Sequence, residues 1–284
     1  MTSFGAFVVP DASGLESVLE QVRVAEAGGL DLIGIQDHPY QRRFLDTFTL
    51  LAFLAARTAR LRLFPDVANL PLRHPAMLAK QAATLDVLSG GRFELGLGAG
   101  AFWDAIAAMG GPRRSPGEAV EALEEAIAIL RDCWAGEQAV SFAGRHYQLK
   151  GFHPGPPPAH PIGIWIGAYR PRMLRLTGRL ADGWVPSVPR MPAEEVVRAR
   201  RIIDEAAERA GRDPSAIRGI ANVNGVIADG PVRGPLHGPP ATWIETLGAL
   251  RELCGFDALV LWGEGDMVEQ IERFATEVVP ALRN

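Results

Sequence analysis

An alternation constrains this chain more than any single motif. Eight short apolar runs, each followed by a stretch with a helical period, succeed one another from end to end. The runs are residues 4–9, 31–36, 61–64, 93–97, 162–166, 184–185, 217–228 and 258–262. Several are nearly continuous in apolar residues, as parallel strands covered on both faces tend to be. The stretches between them carry apolar residues on one helical face: 15–27, 46–58, 75–89, 117–134, 171–180, 192–210, 242–254 and 267–282.

Eight strands alternating with eight helices predict an α/β protein, specifically a (β/α)8 TIM barrel. An open doubly wound sheet is the alternative, because one miscounted strand breaks the eightfold pattern. Two excursions interrupt the alternation. Residues 101–116, rich in Gly, Pro and Arg, form an insertion after strand four. Residues 138–149 read as a hairpin turning at Ala143 and Gly144, and the proline-rich 153–161 that follows is irregular. Both lie before strand five. The 284 residues suit one barrel, so a single domain over 1–284 is the expectation.

Composition removes several function classes. A net charge of −4, with no long run of one sign, argues against nucleic acid or an acidic membrane surface as partner. No stretch approaches the ~20 apolar residues of a membrane span. The N-terminus has no basic region before its apolar run, so it does not read as a secretion signal. Cys133 and Cys254 lie far apart in predicted helices, which suits reduced thiols in a cytoplasmic protein. None of the six histidines has the spacing of a zinc site. There is no G-x-S-x-G elbow for a hydrolase, and the spacing of a nicotinamide-binding Rossmann fingerprint is missing.

A barrel places its chemistry at the C-terminal ends of its strands. Strand two ends in Gln36, Asp37 and His38, and strand three in Asp66, Val67, Ala68 and Asn69. Strand four ends in Gly98, Ala99 and Gly100, and strand five in Gly167, Ala168, Tyr169 and Arg170. Strand six ends in Pro186 and Ser187, strand seven near Asp229 and Gly230, and strand eight in Gly263 and Glu264. Glycines there let a ligand approach the backbone, although a tight barrel corner needs them as well. Pro171 after Arg170 suits a first helical position, and a helix N-terminus there would attract an anion; an ordinary loop is the plain alternative. His38 is placed to act as a general acid or base near neutral pH, although a lone histidine is more often structural. A strained or cis peptide at Asp66-Val67 would make a bulge able to support a flat ring. Tyr40, Phe44, Phe102 and Trp103 are candidates to line an apolar substrate pocket, set against ordinary core or lid packing.

These residues together resemble the bacterial-luciferase-like family of flavin- and deazaflavin-dependent oxidoreductases. The likeness covers nearly the whole chain. It is carried by the segment from Val67 to Asn69, HPAMLAKQAATLDVLSGGRFELGLGAG, GEAVEALEEAIAILRDCW, PIGIWIGAYRPRMLRLTGRLADGWVPS and GDMVEQIERFATEVVPALR. The resemblance implies a flavin-type cofactor, coenzyme F420 or FMN, at the C-terminal face of the barrel. It implies a bulge with a non-prolyl cis peptide at Asp66-Val67 beneath the ring. It implies ring contacts at Ala68, Asn69, Gly98, Ala99 and Gly100. The phosphate falls to Gly167, Ala168, Tyr169, Arg170 and Ser187. His38 matches the family's histidine after strand two.

Deazaflavin hydride transfer is favoured, because Asp37 with His38 resembles that branch, as does the strand-four turn. An FMN-dependent monooxygenase is the alternative. A barrel that has lost its flavin and serves only in binding is the alternative from another class. The sugar-phosphate dehydrogenase members carry a glutamate just after the strand-four turn and a tryptophan shortly after the histidine. Here those positions are Ala101 and Arg42. The resemblance thus implies a small-molecule substrate other than theirs, and a homodimer, since family members commonly pair.

Overall fold

A computed structural model describes residues 2–188 and 191–283. Twelve strands are present among them: β1 Ser3–Val8, β2 Leu32–Ile35, β3 Arg62–Pro65, β4 Ala68–Asn69, β5 Leu95–Gly98, β6 Val140–Ala143, β7 Gln148–Phe152, β8 Ile164–Ile166, β9 Gly183–Trp184, β10 Arg218–Ile227, β11 His237–Gly238 and β12 Ala258–Gly263. The α-helices are α1 Leu15–Ala27, α2 Thr47–Ala55, α3 Pro75–Ser89, α4 Trp103–Ala108, α5 Pro116–Trp134, α6 Pro171–Leu180, α7 Ala193–Arg209, α8 Pro240–Cys254, α9 Met267–Arg273 and α10 Val279–Arg283. A π turn over Phe274–Val278 joins α9 to α10.

The main sheet runs β3-β2-β1-β12-β10-β9-β8-β5-β4, and its pairs are parallel. β3 and β4 are two halves of one stave: β3 pairs with β2, and β4 pairs with β5. A parallel bridge between Leu63 and Phe93 closes the circuit. The alternation in the sequence is therefore a (β/α)8 barrel, and the open sheet is excluded.

The barrel interior is packed by Phe7, Leu32, Phe64, Trp165, Val185, Ile220, Ala258 and Val260. Phe64 and Trp165 meet edge to face at 5.2 Å. A larger apolar layer lies between the staves and the surrounding helices, and it includes Leu51, Leu54, Leu78, Leu123, Ile127 and Ile203. These residues come from the apolar faces that define the helical periods, so the pattern and the packing have one cause.

Local signals set the ends of the helices. Pro75 starts α3, and Gly90, left-handed at φ 68°, stops it. Ser115 and Glu118 form a capping box on α5. The insertion after β5 is not all loop: Trp103–Ala108 makes a short helix. The hairpin reaches Phe152, beyond the expected limit, because β7 carries the pairing on. β10 also overshoots the barrel. It pairs with β12 from Ile220 to Gly225 and then with β11, so its stave meets the barrel mouth near Asn222 rather than near Asp229 and Gly230. Asn222 bridges Ser187 at that level.

The hairpin and the proline-rich segment after it are tied down by carboxylates of α5 and α3. Glu125 of α5 accepts backbone N–H bonds from Arg145, His146 and Tyr147 at 2.7–3.0 Å, which seats the hairpin turn. The buried Asp86 accepts the backbone N–H of His160 at 2.9 Å and lies 2.7 Å from its Nδ1, anchoring the proline-rich segment. Because the three Glu125 bonds are local to the hairpin, Glu125→Ala is expected to cost about 1–3 kcal/mol. Amide hydrogen exchange should rise at residues 140–152 and stay unchanged in β1, β2 and β12. Equal deprotection of the barrel strands would overturn this division.

Candidate active site

The C-terminal strand ends meet around a cavity of about 500 Å³. Its position is set by a buried ion pair. Asp37, just past β2, accepts from Arg73 Nε at 2.8 Å and Nη2 at 2.7 Å, and from the Asn69 backbone N–H at 2.8 Å. Arg73 also reaches Asp46, the N-cap of α2, at 2.9 Å and lies 4.4 Å from the centre of the Phe48 ring. A planar guanidinium gripping one carboxylate with two bonds is rigid as well as strong. The clamp fixes the end of strand two against the second half of strand three.

His38 follows the clamped residue and lines the cavity. Tyr40 Oη lies 2.6 Å from His38 Nδ1, and the two rings meet edge to face at 5.3 Å. Burial, helped by the Asp37 charge, pushes the Tyr40 phenol up to about 12. The phenol therefore keeps its proton and shares a hydrogen bond with Nδ1. Phe102 packs on the other side of His38 at 5.5 Å. It is largely exposed and adopts a left-handed φ of 56° at the start of α4, forming a lip over the cavity.

Between β3 and β4 the Asp66-Val67 peptide is cis. The Val67 side chain fills the space that glycines leave open. A Cβ on Gly98 would stand 2.9 Å from a Val67 methyl, and one on Gly167 would stand 3.1 Å away. Close approach of this kind is one reason a strand end needs glycine. Gly100, at φ 106°, has a conformational reason as well.

Asp66, Val67, Ala68, Asn69, Gly98, Ala99, Gly100, Gly167, Tyr169 and Ser187 all line the cavity, together with His38, Tyr40 and Phe102. Three predicted residues stand outside its lining. Ala168 is buried, and its carbonyl accepts from Trp184 Nε1 at 2.9 Å. Arg170 is exposed at the N-cap of α6. Trp103 packs behind Gly100, where a Cβ would meet its ring at 2.9 Å. Tyr169 Oη accepts the Ser187 backbone N–H at 3.1 Å, which draws two strand ends together.

Other lining residues were not singled out from the sequence: Phe7, Gln41, Val185, Asn222 and Trp262. Phe7 and Trp262 stack at 4.9 Å and form an apolar wall. Asn222 did leave a trace, since Asn222 and Asn224 are polar residues at period two inside an apolar run. Arg73 left none, because its partner Asp37 lies 36 residues away.

The floor of the cavity is polar and incompletely satisfied. Among the described residues, five have buried side-chain atoms without a hydrogen-bond partner, and three of these line this cavity: Asp66 Oδ2, Asn69 Oδ1 and Asn222 Oδ1. Native proteins leave few such atoms, so a cluster of them marks a place where something else binds. Among the described residues no lysine or arginine lines the cavity. Among the described residues no group of three or more His, Cys, Asp or Glu side chains could hold a metal.

The sequence model of the luciferase-like monooxygenase family matches residues 1–232, and the chain belongs to that family. It is 30% identical over 215 residues to the F420-dependent glucose-6-phosphate dehydrogenase of Microbacterium testaceum, covering 74% of this chain and 63% of that one. It is 34% identical over 221 residues to the 5,10-methylenetetrahydromethanopterin reductase of Archaeoglobus fulgidus, covering 77% and 62%. The chain thus spans a little under two thirds of the length of these relatives. In fold it is similar to the coenzyme F420-dependent tetrahydromethanopterin reductase of Methanopyrus kandleri, with a TM-score of 0.84 over 98% of this chain and 99% of that one, at 20% identity.

Asp66 carries a pH dependence of its own. Burial, only partly offset by a 3.1 Å bond from Asn222 Nδ2, pushes its carboxyl from 3.8 up to about 7. Between these values the folded protein holds a proton that the unfolded chain releases. Stability therefore falls as pH rises from about 4 to about 7, and the penalty is complete above that. Asp66→Asn should stabilise the ligand-free protein by roughly 1–4 kcal/mol at pH 8 and by little at pH 4. Urea denaturation at both values checks this, and an equal change at both would refute it.

Proposed function

We propose that this protein is an oxidoreductase that binds a flavin-type cofactor at the barrel mouth and acts on a small uncharged organic substrate. Coenzyme F420 is favoured over FMN. The observation that carries the reading is that His38 and the unpartnered oxygens of Asp66, Asn69 and Asn222 meet in one open cavity of about 500 Å³. A barrel that had given up its cofactor would be expected to fill this space with side chains.

The residues present fit such a group. The orphaned oxygens of Asn69 and Asn222 suit a ring edge with hydrogen-bonding atoms, and Val67 offers an apolar rest for a flat face. Asp66, Val67, Ala68 and Asn69 would hold the ring from below, and Gly98, Ala99 and Gly100 from the side. Gly167, Tyr169 and Ser187 in the lining, with Arg170 exposed beside them at the N-terminus of α6, would hold the phosphate, and the buried Ala168 would not reach it. When bound, a deazaflavin supplies hydride transfer, whereas FMN can also engage oxygen.

The preference for F420 rests on the F420-dependent dehydrogenase among the relatives. Asp37 adds less than its sequence context promised, because its carboxylate is committed to Arg73 and Asn69. His38, its ring held beside Tyr40 and facing the cavity, would give a proton to, or take one from, a substrate oxygen. Tyr40, Phe44 and Phe102 keep water from that proton, with Trp103 supporting the lip from behind. With no lysine or arginine among the described lining residues and Ala101 after the strand-four turn, the site suits a neutral substrate better than a phosphorylated one. The two unpaired, buried cysteines support a reducing, cytoplasmic setting. No helix among the described residues is long and apolar enough to cross a membrane.

The test begins with titration of the purified protein with coenzyme F420 and with FMN. Binding of F420 with the higher affinity is expected, and failure to bind either removes the proposal. His38→Ala should then lower turnover by about a hundredfold or more, with cofactor affinity nearly unchanged. A rate close to that of the unmodified protein would exclude His38 as the acid or base.

A further inference from the structure

We propose that binding of a flat ring over the cavity floor is coupled to proton uptake by Asp66, which Asn222 holds in place as a positioning residue. This rests on the ring-binding reading above and adds to it a linked proton.

The geometry begins with a niche cut for a carboxyl. Gly34 of β2 faces it, and a Cβ there would stand 2.9 Å from Asp66 Oδ2 and 2.8 Å from the Phe64 ring. Only a residue without a side chain leaves room for the carboxyl at this level of the barrel. Asn222 donates to Oδ1 from β10, 156 residues further along the chain. The Asn222 backbone is itself fixed by its N–H bond to Pro186 O at 2.9 Å. Oδ2 has no partner, and no cation shares the niche.

The surroundings supply nothing to neutralise a carboxylate. Phe7 of β1, Gly34 of β2, Phe64 of β3, Val185 after β9, Asn222 of β10 and Trp262 of β12 carry no ionisable group. Around the cavity the titratable neighbours are Asp37, His38 and Tyr40. Asp37 is committed to Arg73, and Tyr40 is held neutral by burial.

Asp66 lines the cavity and as a residue is 8% exposed, with its Oδ2 already buried. A ring lying over the floor removes that remaining water. Loss of solvent penalises the charged form of a carboxyl and leaves the neutral form almost untouched. The ring therefore binds the acid form of Asp66 more tightly than the ionised form. By linkage, binding in mildly alkaline solution must take up a proton, and affinity must fall as pH rises past the titration of the free site.

Calorimetry of FMN and riboflavin binding to the full chain, in buffers of different ionisation enthalpy, counts this proton directly. The unmodified protein should take up as much as one proton per ring near pH 8 and almost none near pH 5. Affinity should weaken by up to about tenfold per pH unit above about pH 7. Asp66→Asn keeps the shape of the side chain and should bind with neither the uptake nor the slope; Asp66→Ser is the second variant should the first fold poorly. Riboflavin removes the phosphate titration, and comparison with the variants removes that of His38. Binding with the same uptake in the variants would overturn the coupling while leaving the ring site intact. Absence of binding by FMN, riboflavin and coenzyme F420 alike, at acid and alkaline pH, would overturn the coupling together with the ring-site reading.

Discussion

The Asp37–Arg73 ion pair is the contact on which the mouth of this barrel depends. Two strands that pair well below the mouth diverge above it, because β3 stops at Pro65 and the stave resumes at Ala68. The guanidinium bridges that break from the side, while the Asn69 N–H ties the resumed half to the same carboxylate. Burying two charges is costly unless every lone pair and proton finds a partner. Here the carboxylate accepts three bonds, and Arg73 places a further proton on Asp46, so the two charges are paired and most of their polar atoms are engaged. The consequence for the site is positional. His38 is the next residue after the clamp, and its ring is held by Tyr40 and Phe102 on either side.

Below the mouth, large side chains close the barrel, and this is what makes the cavity shallow and one-sided. Trp165, Phe64 and Leu32 fill the interior beneath it, while glycines at the strand ends open the space above. The polar atoms left unpaired lie at this boundary, neither deep in the core nor out in water. A ligand that settles there replaces water only at those atoms and covers apolar surface elsewhere. That combination matches a flat heterocycle with a polar edge better than a sugar or a peptide, whose polar groups point in many directions.

The fold was legible because its signal is periodic. Eight apolar runs and eight helical faces survive small errors of boundary, and the barrel follows from their order. The helix Trp103–Ala108 was hidden because a short helix inside a Gly- and Pro-rich segment has too few turns to show a period. The overshoot of β10 was hidden for a different reason. Its residues read as one strand, and only pairing partners reveal that β12 ends its contact at Gly225 while β11 takes over. At the site, strand-end residues could be named because a barrel puts them there, and His38, Asp66 and Gly98 all line the cavity. Partnerships across the chain could not be read. Arg73 with Asp37, and Asn222 with Asp66, join staves whose spacing in sequence carries no trace of contact.

Two aspartates at neighbouring strand ends show how burial alone leaves a role undecided. Asp37 and Asp66 are both buried, at 2% and 8% exposure. Asp37 meets a guanidinium and a backbone N–H, so its charge is spent on structure. Asp66 meets one amide and a glycine, so its charge has nowhere to go, and the proton stays instead. A carboxyl that holds a proton near neutral pH beside an open cavity is responsive to whatever covers it. Tyr40 supplies another case, a phenol held neutral by burial and hydrogen-bonded to its histidine. One wall thus holds His38 between two aromatic rings, and the floor holds a carboxyl at Asp66 that keeps its proton near neutral pH. What separates the two is the partner each side chain finds, and in a barrel that partner is chosen by which stave lies next to it.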